Sequence, residues 1–143
     1  MNSFTKLKSR YEDLYGNEPC ADGTIDAVEN KLGLHLPEDF RVISGFYSGG
    51  VLGGISHHEI AAEGSATNVV NETLRLRTTT NLPNEFVVIA EPPSGLIVMN
   101  VKNDKVIWCD STDVNGLGTD SCINPDVWDS YSDFFCYLLD EEE

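Results

Sequence analysis

The sequence predicts an α+β fold: one domain in which an antiparallel or mixed sheet packs against four to five helices. Three observations predict it. Apolar residues recur at helical spacing through most of residues 3–47, interrupted by NEPCADG at 17–23 and LGLHLP at 32–37. Three short apolar runs follow at 86–90, 95–101 and 105–110, separated by turn residues. Helical spacing then returns over 126–139. A chain of 143 residues suits a single domain, and one of this size buries roughly 68–70% of its unfolded surface, enough to dispense with staples.

The first helix spans residues 3–15, with Phe4, Leu7, Tyr11 and Leu14 on one face, Ser3 as its cap and Gly16 as its stop. Thr24 is the expected N-cap of the second, because its hydroxyl can accept an early backbone N–H. Ile25, Val28 and Leu32 form its stripe, and Gly33 stands where a left-handed residue closes a helix. Pro37 opens the third helix, since a first-turn position needs no N–H. Glu38 and Asp39 place negative charge at the positive end of its dipole. Phe40, Ile43 and Phe46 or Tyr47 supply its buried side, and Gly49-Gly50 ends it.

Residues 50–58, GVLGGISHH, read as one strand, with Gly53-Gly54 marking a bulge or a close backbone approach. A loop covers 59–64. A fourth helix begins near residue 67, carrying Val69 or Val70, Thr73, Leu74 and Arg77, and breaks at Leu82-Pro83-Asn84. The three apolar runs then form a meander, its last two strands joined by a tight turn at Asn103-Asp104. After a loop at 111–124, residues 126–139 form the last helix, with Phe134–Leu138 and Phe135–Leu139 pairs.

The residues Ile25, Val28, Glu29, Leu32, Gly33, Leu36, Pro37, Phe40 and Gly49-Gly50 carry a wider pattern: helix, Leu-Gly, Leu-Pro-acid-acid-aromatic, helix, Gly-Gly. This order resembles the N-terminal signature of the SUKH superfamily, a large set of bacterial immunity proteins that also takes in a yeast cell-wall-synthesis regulator family. Tyr131, Phe134 and Phe135 stand in the place of that superfamily's aromatic and acidic C-terminal helix. The resemblance covers about residues 20–140. It leaves 1–19 as an added N-terminal helix and 141–143 as an acidic tail. One departure is Ser48-Gly49-Gly50, where many members have Asn before glycine.

Charge limits the partners. Nine Lys and Arg face 24 Asp and Glu, a net charge of −15, and no Lys or Arg follows Lys105. A phosphate-binding surface requires the opposite sign, so nucleic acid is not expected as a direct ligand. No apolar run reaches the roughly 18–20 residues of a membrane span, and the N-terminus has no signal-peptide core. A cytoplasmic address is the default. The four cysteines, Cys20, Cys109, Cys122 and Cys136, form no CxxC pair and read as small buried hydrophobes.

No catalytic, cofactor or metal motif emerges. His57 and His58 are adjacent, so on a strand they point to opposite faces and read as surface residues. Asp113, Asn115 and Gly116 match three positions of a calcium loop, but Cys122 stands where its bidentate Glu belongs. The paired glycines at 49–50 and 53–54 lack the Lys-Ser or Lys-Thr of a phosphate loop. No local nucleophile signature is present. Trp108 alternates with Ile107 and reads as core; Trp128 stands among acids, where an indole can serve as an interface anchor.

What the resemblance implies is a non-enzymatic immunity protein, without cofactor. It would bind a cognate polymorphic toxin domain, often a nuclease, and block its active site. The alternative within the same resemblance is a regulatory protein–protein interaction scaffold of the Smi/Knr type. The charge distribution nominates Asp110, Asp113, Asp120, Asp126 and Asp129 as the charged surface for a basic partner, with Trp128 as the apolar anchor.

Overall fold

A computed structural model describes residues 3–64, 67–111 and 125–142. Its elements are α1 (Ser3–Tyr15), α2 (Thr24–Leu32), α3 (Glu38–Ile43), β1 (Gly50–Leu52), β2 (Ile55–His57), α4 (Val69–Thr79), β3 (Phe86–Ala90), β4 (Gly95–Asn100), β5 (Val106–Asp110), β6 (Asp126–Trp128) and α5 (Tyr131–Glu142). The six strands form one sheet in the order β1-β2-β3-β4-β5-β6, and every neighbouring pair is antiparallel. Among the described residues the sheet is therefore a meander from end to end, and the α+β expectation holds.

Alternation along the central strands sorts their side chains between two apolar clusters. Val87, Ile89, Ala90, Ile97, Met99 and Val106 meet α1, α2, α3 and α5 in the main core. Phe86, Val88, Leu96, Val98 and Cys109 join Leu76 and Leu82 in a second cluster beneath α4. The main core is aromatic: Tyr11, Phe46, Tyr47 and Phe135 lie with ring centroids 5.1–6.0 Å apart. Phe134, Phe135, Leu138 and Leu139 of α5 are fully buried, and each such side chain contributes roughly 1.5–3 kcal/mol of gross burial.

The helical front follows its sequence signals with two shifts. Gly33 closes α2 at φ 70°, and its N–H reaches the Glu29 carbonyl at 2.8 Å. Thr24 is not the cap: Gly23, at φ 81°, precedes the helix without any side-chain cap, and Thr24 is already helical. Pro37 likewise stands one place earlier than expected, as the cap of α3, with extended ψ of 152°. On α1, Leu7 and Tyr11 are buried, whereas Leu14 points to solvent. The linker is tied down: Glu18 N–H bonds to Phe46 O at 3.0 Å and Cys20 N–H to Ser44 O at 2.9 Å.

Three other expectations are corrected. Residues 50–58 make two strands joined at Gly53-Gly54, with φ of 60° and 78°. Two successive left-handed residues reverse a chain rather than bulge it. On α4 Val69, Val70 and Thr73 are buried as expected, but the next inward residue is Leu76, and Leu74 is exposed. The last helix starts at Tyr131, because residues 126–128 are drawn into the sheet as β6.

Candidate functional site

The ladder between β5 and β6 pairs Val106 with Trp128, Ile107 with Val127, and Trp108 with Asp126. Period-two alternation thus sets Trp108, Asp126 and Trp128 on the sheet face that carries α5. Trp128 is half-buried there, edge-on to Phe134 at 4.9 Å and tilted against Tyr137 at 5.2 Å. Trp108 is half-buried and packs on the main core. Both indoles are therefore built into the fold while keeping part of their surface in solvent.

Acids surround these rings. Asp126 is exposed, Asp129 is exposed in the turn before α5, and Asp133, Asp140 and Glu141 are exposed along that helix. Asp110, exposed at the end of β5, lies two residues beyond Trp108 and pairs with Gly95. The Tyr137 phenol is raised above its ordinary value by burial, then by Glu141 and by Asp126, which places both carboxylates near the ring. Asp113 and Asp120 lie outside the described residues, as does the rest of the rejected calcium-loop match beyond Ser111. Of the six nominated residues, the structure brings Asp110, Asp126 and Trp128 to one face and sets Asp129 at its far end.

The four arginines all have partners. Arg10 bonds to Asp140 at 2.8 Å. Arg41 joins Glu29, and Arg75 bridges Glu72 and Glu91. Arg77 donates to the carbonyls of Leu32 and Asn84, each at 3.0 Å. An open groove of about 480 Å³ between α1 and α5 is lined by Lys6, Leu7, Arg10, Ser132, Asp133, Cys136 and Asp140. Its mixed charges lie between α1 and α5.

The histidines are not on the surface as expected. His57 and His58 are both buried, on opposite sides of the sheet. His57 holds the His58 carbonyl through Nδ1 at 2.7 Å and meets the Tyr131 hydroxyl through Nε2 at 2.9 Å. Burial lowers its pKa to about 4 and keeps the ring neutral. With both ring nitrogens engaged, neither is available as a base. Cys20 and Cys136 are free thiols. Burial, and then Glu59, push the Cys20 thiol up to about 11, away from thiolate reactivity.

One cluster escaped the sequence. His58, Glu72 and Glu91 present ligand atoms within 4.8 Å of one another. They come from the end of β2, the first turn of α4 and the residue after β3, so no local spacing announces them. Among the described residues no helix is long and apolar enough to cross a membrane.

Compared with known proteins, the chain matches the SMI1-KNR4 cell-wall family model (SUKH_5) over residues 1–136. No curated protein matches it.

Proposed function

Because this chain belongs to the SUKH superfamily, through its SMI1-KNR4 cell-wall family, we propose that it is a cytoplasmic immunity protein that neutralises a cognate toxin by covering the active site. The observation that carries this reading is the face of β5, β6 and α5. Half-buried Trp128 and Tyr137 sit among exposed Asp126, Asp129 and Glu141, and no base follows Lys105 in the sequence. A basic toxin groove built to hold phosphate complements such a face in charge. The indole supplies the desolvated anchor that charge alone lacks. The chain needs no bond-making groups for this role, only shape and field.

The test uses a purified candidate toxin domain. The double variant Asp126→Lys/Asp129→Lys is expected to slow association at least tenfold at low salt and to flatten its salt dependence, with dissociation little changed. Trp128→Ala is expected to speed dissociation instead. Association rates unchanged by the charge reversal would remove this face from the interaction.

The family's description with the cell wall favours a second reading, a regulatory scaffold for cellular enzymes. Recovery of a cell-wall enzyme with the tagged chain, in cells lacking any neighbouring toxin gene, would select it.

A further inference from the structure

We propose that His58, Glu72 and Glu91 form a binding site for a divalent transition-metal ion of the zinc type, with Arg75 orienting the two carboxylates from outside. This site lies apart from the docking face and does not depend on it.

The backbone holds the three donors in place. The His58 N–H bonds to Ile89 O at 2.8 Å, which ties the end of β2 to the end of β3. Glu59 N–H bonds to Thr67 O and Val69 N–H to Glu59 O, each at 3.0 Å. These bonds, with the parallel bridge Glu59↔Asn68, fix the start of α4 against the same strand. Asn68 caps that helix through its side chain, accepting from Asn71 N–H at 2.8 Å. Glu72 is thereby set in the first turn, facing His58 and Glu91.

Donor chemistry and spacing fit such an ion. His58 Nε2 lies 3.0 Å from Glu91 Oε2. Two ligands of a tetrahedral ion, with bonds of about 2.0–2.1 Å, stand about 3.3 Å apart. The imidazole is shielded, and the two carboxylates are partly so, with side-chain exposures of 17% and 29%. Arg75 Nη2 takes Oε1 of Glu72 at 2.9 Å and Oε1 of Glu91 at 2.6 Å. The Oε2 of Glu91 is left turned toward His58. Metal-ligating carboxylates are commonly oriented in this way, by an outer hydrogen bond to the other oxygen. One imidazole with two carboxylates suits zinc and its neighbours; magnesium and calcium prefer oxygen donors alone.

The experiment titrates the full chain, stripped of metal with chelator, with zinc chloride by calorimetry, and repeats it with magnesium and calcium chlorides. One zinc ion per chain is expected, with no comparable binding of the other two. His58→Gln should weaken zinc at least tenfold. Glu72→Gln should weaken it by a similar factor, because it removes a charged ligand. Absence of one-to-one zinc binding, or binding that His58→Gln leaves unchanged, overturns the site. Should circular dichroism find His58→Gln unfolded, Glu72→Gln decides alone: an affinity that does not fall overturns the proposal.

Discussion

Tyr131 shows how much one hydroxyl can govern. It is fully buried, and its O–H is the partner of His57 Nε2 at 2.9 Å. Tyr131→Phe leaves that nitrogen dry and unpaired, which should destabilise the fold by about 1–3 kcal/mol in urea unfolding. The hairpin glycines allow a sharper comparison. A Cβ on Gly53 would stand 2.6 Å from the Leu138 carbonyl, whereas one on Gly54 would meet nothing within 4 Å. Both residues have positive φ, so alanine carries a similar backbone penalty at each, about 1 kcal/mol. Gly53→Ala should therefore be clearly the more destabilising of the two, and their difference measures how closely α5 crosses the hairpin. The sequence suggested a close approach here, through its paired glycines, but not what approached.

At the scale of elements, α4 acts as a cover. β2 reaches only the end of β3, through the His57↔Ala90 pair. The Val88 N–H is instead accepted by Thr73 Oγ1 at 2.9 Å. An open strand edge is thus closed by a helix. Thr73→Val keeps the shape and removes the acceptor, and should lower stability by about 1–3 kcal/mol. The α2–α3 corner supplies a pH signature. Burial works to raise the Glu29 carboxyl, but the Leu36 N–H and the Arg41 guanidinium outweigh it and hold its pKa below the ordinary 4.5. A depressed carboxylate stabilises the fold above its unfolded value and loses that contribution as pH falls through the folded one. Glu29→Gln should therefore be less stable than the parent at pH 7, and the gap should narrow below about pH 4.5. Where elements were legible, the cause was local. Gly33, Pro37 and the stripe Phe40–Ile43 act within one turn of themselves. β6 was misread because its three residues form a strand only when β5 offers a ladder. Yet one signal for the true helix start was in the sequence: Ser130 Oγ accepts the Asp133 N–H at 3.1 Å, a capping pattern three residues apart.

For the molecule as a whole, charge was readable and convergence was not. The acidic last third could be counted from residues alone, and Asp126, Trp128 and Tyr137 do share a face. The cluster of His58, Glu72 and Glu91 depends on β2, β3 and α4 meeting, which no spacing encodes. A net charge of −15 also repels itself. The melting temperature should rise as sodium chloride increases from about 10 mM to about 0.5 M, since the screening length falls from roughly 30 Å to a few ångströms. A melting temperature that stays flat would mean the charges are already well dispersed.

The pairing of α1 with α5 has a consequence for how the chain is made. Tyr11 touches Phe135, and α5 also packs on α3 and the first hairpin strand. Of the eleven described elements, α5 is the last to leave the ribosome. Until it does, Phe40, Ile43 and Phe46 have no lid, although every strand already has its sequence neighbour to pair with. A nascent chain that has emerged only as far as Ser130 would hold its sheet strands and an uncovered aromatic floor, the kind of surface that chaperones clasp.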